Sequence, residues 1–317
     1  MKIIDIINHS KSPFASFEIV PPLKGSTPEK LYTSIRPLME FAPPFINVTC
    51  HRDEIEYVQN KDKTYSKVTL SKRPGTVATV AAIMKKFPVE IVPHVICGGA
   101  SRHKIESELL DLDFLDIENV VALRGDAIPG QKAFIPEEDG FKHSVDVVKM
   151  IQNLNQGIYL DQSVRDGVHT RFCVGVAGYP EKHYESPNIL EDIKHLKEKV
   201  DAGADYVVTQ MFFSNTFFFN FVKKCRDAGI TVPIIPGLKP ISTLRQIETL
   251  PRAFHLDIPE EFLLELQKCK NNEEVYQTGI EWCTQQSKEL LRCGVPAVHY
   301  YTMGRADNIR QIIRNAF

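Results

Sequence analysis

Short apolar runs that end in polar residues recur along this chain. The clearest is Asn119-Val120-Val121-Ala122-Leu123-Arg124-Gly125-Asp126, where four apolar residues run into Arg-Gly-Asp and a loop containing Pro129 and Gly130 follows. A run that short and that apolar predicts a strand buried on both faces. The same pattern predicts strands at 16–20, 45–50, 90–96, 171–176, 206–210, 233–237 and 297–301. Between them, apolar residues recur at helical spacing: Leu31, Ile35 and Leu38, then Ile105, Leu109 and Leu112, then Val145, Val148 and Ile151. Thr27-Pro28 supplies an N-cap and a proline at the first helical position. Ser101 caps a second helix, and Ser186-Pro187 starts one that ends near Gly203. Further helices are predicted at about 75–86, 243–250 and 258–292, with one more at the end of the chain.

Three stretches break the rhythm. Residues 1–13 read as a short leading helix or arm. The 20 or so residues from His51 are charged and lack periodicity, which predicts a long loop. Residues 156–170 are polar with two glycines and read as an insertion.

Eight strands alternating with helices is the count of a (β/α)₈ TIM-type barrel. The expectation is one such catalytic domain over 1–317, with an N-terminal arm of about 13 residues and no C-terminal regulatory domain. A doubly wound open sheet is the main rival. Neither GxGxxG after the first strand nor GxxxxGK[ST] occurs, so a dinucleotide would not be held in the Rossmann manner.

Composition adds exclusions. The chain has 317 residues, 43% hydrophobic and 25% charged, which is ordinary globular composition. Lys+Arg 38 against Asp+Glu 40 leaves no basic excess for nucleic acid. Seven scattered Cys, with no CxxC pair, suggest free thiols in a reducing compartment. The histidines show no metal-ligand spacing. No signal peptide and no membrane span of roughly 20 apolar residues is visible. A cytoplasmic protein is expected.

In a barrel of this kind the site lies at the C-terminal ends of the strands. Those ends carry Glu18, Thr49, His94, Arg124 with Asp126, Tyr179, Gln210, Lys239 and Arg305. Glu18 sits between Phe17 and Ile19 and before two prolines, so its carboxyl should be desolvated and its pKa raised, as suits a general acid. The structural alternative is an ion pair with a Lys or Arg inside the barrel. Asp126, beside Gly125, reads as an ionised carboxylate accepting backbone hydrogen bonds and tuning a cofactor, or as an ordinary turn cap. Asp192, His195 and Lys199 fall on one polar line of a helix, with His183 upstream. That line reads as a phosphate grip or as a solvated helix face. Gln210 suits the edge of an amide-like heterocycle or the barrel rim. The Phe217–Phe221 cluster reads as core, and Cys50 and Cys97 as packed thiols.

A set of motifs now adds a resemblance. Phe17-Glu18-Ile19-Val20-Pro21-Pro22, Asn47-Val48-Thr49, Pro93-His94, Val121 to Asp126, and Tyr179-Pro180-Glu181-Lys182-His183 come first. Lys199 to Asp205, Thr209-Gln210-Met211-Phe212-Phe213, Ile234-Ile235-Pro236-Gly237 and Tyr301 to Ala306 follow. In that order, over nearly the whole chain, they resemble the methylenetetrahydrofolate reductase family in its bacterial, catalytic-domain-only form. The resemblance implies FAD at the barrel mouth and ping-pong hydride transfer from NADH or NADPH. It implies reduction of 5,10-methylenetetrahydrofolate to 5-methyltetrahydrofolate, and a homo-oligomer. It gives Glu18 the role of general acid and Asp126 a place near flavin and pterin. It implies cofactor contacts at Thr49, His94, Arg124, Gly125, Asp126, His143, Ser144, Ala177, Tyr179, His183, Asp192, His195 and Lys199. It implies substrate contacts at Gln210, Gln246 and Arg305, and no metal.

The chain departs from the family pattern in places. Cys50-His51-Arg52-Asp53 follows Thr49 where an aromatic and small residues are usual. His143 stands for a Tyr, His195 and Glu198 for an amide and an Arg, and Leu250 for an aromatic ring. Two other readings compete: a flavin-free, pterin-binding barrel methyltransferase, and a non-catalytic subunit of a redox complex.

Overall fold

In this computed structural model, residues 1–128, 131 and 133–317 are described; Pro129 and Gly130 of the predicted loop lie outside them. Eight parallel strands close into a barrel: β1 (Phe14–Ile19), β2 (Phe45–Val48), β5 (Glu90–Ile96), β6 (Asn119–Leu123), β7 (Cys173–Gly178), β8 (Tyr206–Met211), β9 (Ile234–Leu238) and β10 (Ala297–Tyr301). Each pairs with the next barrel strand in the chain, and β10 closes on β1 with Glu18 beside Tyr301. The (β/α)₈ expectation holds.

Helices wrap the barrel: α2 (Pro28–Ile35), α3 (Thr76–Met84), α4 (Arg102–Asp113), α5 (Ser144–Asn155), α6 (Ile189–Asp201), α7 (Asn215–Asp227), and α11 (Asp307–Ala316). Their apolar faces pack on outward residues of the strands, such as Phe17, Val120 and Val174, to form the main core. Phe218, Phe221 and Cys225 of α7 belong to that core, as expected.

The leading arm is a helix, α1 (Ile3–His9), and it closes the N-terminal end of the barrel. Ile3 and Ile7 pack with the lumen residues Phe45, Val92, Val121 and Ala297. Asn119 Oδ1 accepts the Ile3 amide at 2.7 Å, and Asn119 Nδ2 donates to the Met1 carbonyl at 2.9 Å.

Three sequence expectations need correction. The expected long loop after His51 is an antiparallel hairpin of β3 (Glu54–Gln59) and β4 (Tyr65–Leu70). Both strands are mostly exposed, so alternation there places charge outward on both faces and leaves no apolar stripe to read. The expected helix over 258–292 is two, α9 (Glu260–Lys268) and α10 (Asn272–Arg292), following α8 (Leu244–Phe254). Asn271 causes the break: its side chain caps α10 by accepting the amides of Glu273 and Glu274. The fifth barrel strand runs two residues later than read, to Gly178, which carries Ala177 to the mouth.

Two lumen glycines make room for large rings. A Cβ on Gly175 would lie 2.5 Å from the Tyr206 ring, and one on Gly237 would lie 2.6 Å from the Tyr301 ring. The tyrosines fill the lumen where these glycines leave space.

Candidate active site at the barrel mouth

Glu18 ends β1 on the lumen side. Its own carbonyl accepts the Thr302 amide at 3.2 Å and the Thr302 hydroxyl at 2.8 Å, which fixes the strand end. The side chain is only 14% exposed. No Lys or Arg pairs with it among the described residues, so the ion-pair alternative falls. Burial pushes its carboxyl up to about 8. His94 on β5 lies beside it, with Nε2 3.7 Å from Glu18 Oε2. Burial holds the His94 imidazole down at about 3, so it is neutral and offers no charge to Glu18. Asn47 on β2 donates from Nδ2 to His94 Nε2 at 3.3 Å.

Thr49 and His51 lie just beyond β2, joined through Thr49 Oγ1 and His51 Nε2 at 2.9 Å. Burial and the nearby Arg73 lower the His51 imidazole, while Asp126 opposes them. Asp126 itself is exposed, and no residue among those described donates a hydrogen bond to its carboxylate. The expected backbone hydrogen bonds are absent among the described residues; the chain turns at Gly125, with φ +83°, and Asp126 lies near enough to His51 and Tyr179 to act on both.

Three cations come from different elements: Arg52 follows β2, Arg124 follows β6, and Lys199 lies on α6. Arg124 pairs with Glu185 through Nη1, and its guanidinium lies 5.0 Å from the Phe134 ring centre. Arg52 donates from Nη2 to Glu137 at 3.1 Å, while its Nε and Nη1 are buried and unpartnered among the described residues. Lys199 of α6 donates to the Ala177 carbonyl at 2.6 Å, and burial pulls its ammonium down to about 8. In the sequence Arg52 is one charge in a charged stretch, and nothing marks it as part of a site. Only its burial separates it from its neighbours.

The polar line on α6 splits. Asp192 is buried and spends its oxygens on the β7–α6 loop, accepting the His183 amide at 3.1 Å and the Ser186 hydroxyl at 2.9 Å. His195 points to solvent and lies 3.8 Å from Glu191. Asp192 and Lys199, seven positions apart, lie about 20° from each other around the helix, whereas His195 stands roughly 60° and 40° from them, which is enough to put it outside. Tyr179 packs edge-on against His183 with ring centres 4.8 Å apart. His143 and Ser144 stand at the start of α5, where Asp146 accepts the His143 amide at 3.3 Å.

On the other side of the mouth, Gln210 turns its Oε1 to the Met211 amide at 2.9 Å. Gln246 accepts the Ser242 amide at 2.7 Å, and Arg305 is exposed beyond β10. Neither Gln NH₂ group has a partner among the described residues. Cys50 and Cys97 are packed thiols, pushed by burial to about 11 and about 12, and are not nucleophiles.

Fold and site together define a parallel (β/α)₈ barrel whose mouth sets a proton-holding carboxyl opposite a group of cations. A family model described as methylenetetrahydrofolate reductase matches residues 2–316. Methylenetetrahydrofolate reductase 1 of Schizosaccharomyces pombe is 31% identical over 99% of this chain and 48% of its own length. The 5,10-methylenetetrahydrofolate reductase of Salmonella typhimurium is 30% identical over 92% of this chain and 86% of its own. Among solved structures, a Clostridium thermocellum protein described as binding two copies of 5-methyl-5,6,7,8-tetrahydrofolic acid superposes with TM-score 0.63. It is 14% identical, and the match covers 98% of this chain and 97% of that one. The chain belongs to the methylenetetrahydrofolate reductase family. It spans about half the length of the first curated relatives it matches.

Proposed function

We propose that this chain reduces 5,10-methylenetetrahydrofolate to 5-methyltetrahydrofolate, with NADH or NADPH as hydride source and FAD as the group between them. The reading rests most on one observation: a buried carboxyl at the mouth that no cation neutralises, held up at about 8. Such a group carries a proton at neutral pH and is poised to give it away. Opening the five-membered ring of the substrate needs a proton on the departing nitrogen. Glu18 supplies it, and the O–H bond electrons stay on the carboxylate.

The donor set suits FAD. Arg124, Lys199 and the two unpartnered nitrogens of Arg52 offer positive charge and N–H groups to a diphosphate. Thr49, His94, Gly125, Asp126, His143, Ser144, Ala177, Tyr179, His183 and Asp192 would complete its surroundings. His195, turned to solvent, is left out of this set. Bound FAD supplies a hydride acceptor for one half-reaction and a hydride donor for the other. A carboxylate at Asp126 would favour a cationic folate species at the mouth. Gln210, Gln246 and Arg305 hold the substrate, with the free NH₂ groups of the glutamines as donors.

The test separates the half-reactions. Glu18→Gln keeps the shape and removes the acid. Flavin reduction by NADH should stay within a few fold of wild type, while oxidation by the folate should slow by about 10²-fold or more. Equal loss of both half-reactions would make Glu18 structural and remove the basis of the reading.

A further inference from the structure

Two side chains converge on one atom at the mouth, His94 Nε2. Asn47 Nδ2 lies 3.3 Å from it and Glu18 Oε2 lies 3.7 Å from it. Glu18 and Asn47 are register partners on β1 and β2, so they enter the lumen side by side. An amide nitrogen can only donate, so His94 Nε2 accepts from Asn47 and the imidazole proton sits on Nδ1. That nitrogen has one lone pair, and Asn47 uses it. It has none left for a proton on Glu18. The other end of the same amide, Asn47 Oδ1, is buried and has no partner among the described residues. A neutral carboxyl has one O–H and needs one acceptor, and a buried amide oxygen without a donor is costly.

We propose that Asn47 is the positioning residue for Glu18: its Oδ1 accepts the carboxyl proton of Glu18 and holds it aimed until the substrate nitrogen takes it. This rests on the reading of Glu18 as the acid. The motif Asn47-Val48-Thr49 carries a resemblance to the family, yet no role follows for Asn47 from its sequence.

Asn47 is favoured because it is the register partner of Glu18 and its amide oxygen is unpartnered among the described residues. His94 on β5 is neutral. On β10, the Tyr301 hydroxyl donates to the Thr209 carbonyl at 2.6 Å and keeps an acceptor lone pair. His299 is buried and neutral, with Nδ1 bonded to Ser16 at 2.9 Å and Nε2 unpartnered among the described residues, but it lies level with Ser16 rather than Glu18. Removing the Asn47 amide tells these acceptors apart. His51 lies beyond His94 and is depressed by burial. None is a carboxylate.

The test reads the proton itself. Infrared titration of the purified protein follows the C=O band of protonated Glu18, identified by its loss in Glu18→Gln. In Asn47→Asp, a near-isosteric change, a second carboxyl would stand beside the first. The midpoint of the Glu18 band should rise by about one pH unit or more, because neighbouring carboxylates resist joint ionisation. In Asn47→Leu the band should move to higher frequency, since the carboxyl would have lost its acceptor. An unmoved midpoint in Asn47→Asp, or an unmoved band in a folded Asn47→Leu, would overturn the proposal. These spectra need no folate, so they stand apart from the half-reaction test of Glu18 as the acid.

Discussion

Glu18 keeps its proton for a reason local to its strand. Phe17 and Ile19 on either side turn outward into the helix-covered core, so the Glu18 carboxyl points into the lumen among neutral partners and ionising it strands a charge. A carboxyl raised to about 8 is protonated below that pH and loses its proton above it. The folate half-reaction should therefore hold steady toward neutral pH and fall about tenfold per unit above roughly pH 8. The NADH half-reaction, which needs no such proton, should not share that fall. Stopped-flow rates across pH 6.5–9.5 would check this, and a parallel decline of both half-reactions would remove Glu18 as the cause. Glu181 is a second carboxyl raised by burial, to about 7, but one oxygen accepts the Asp257 amide at 2.6 Å, so it ties two loops together.

At the scale of the elements, the lumen is arranged by small residues opposite large ones. Gly175 on β7 yields its side-chain space to Tyr206 on β8. Gly175→Ala should push that ring from its place and cost about 1–3 kcal/mol, read as a lower denaturant midpoint with unchanged slope. An unchanged midpoint would mean that the ring moves freely. The barrel strands are legible in the sequence because both of their faces are buried, which writes each one as an apolar run stopped by charge. Glu18 is legible for the same reason: a carboxylate inside such a run stands out. The β3–β4 hairpin is not, because neither face supplies a core-facing stripe. The division of α9 from α10 turns on one capping residue, Asn271, inside a long polar stretch. The α6 line misleads at His195 because helical spacing names a face only to within a turn. Arg52 and Asn47 are invisible for another reason. Their significance lies in atoms left without partners, and sequence does not show partners.

The whole molecule is a barrel open at one end and stopped at the other. Ile3 of α1 is fully buried against the lumen floor, which places the first helix inside the cooperative unit. Ile3→Asp should cost about 3 kcal/mol or more by setting a charge against Phe45, Val92 and Val121. A melting temperature within a degree of wild type would show α1 to be dispensable. With α1 packed at that end, the opposite end is where Glu18, Arg124 and Gln210 stand at their strand ends. The central claim is that a flavin bound there passes hydride from a nicotinamide to a folate. The most direct measurement is an anaerobic visible spectrum of the purified protein, supplied with FAD, before and after NADH or NADPH and then after 5,10-methylenetetrahydrofolate. Oxidised-flavin bands should bleach with the nicotinamide and return with the folate. Absence of those bands, or bands that bleach and do not return, would contradict the claim.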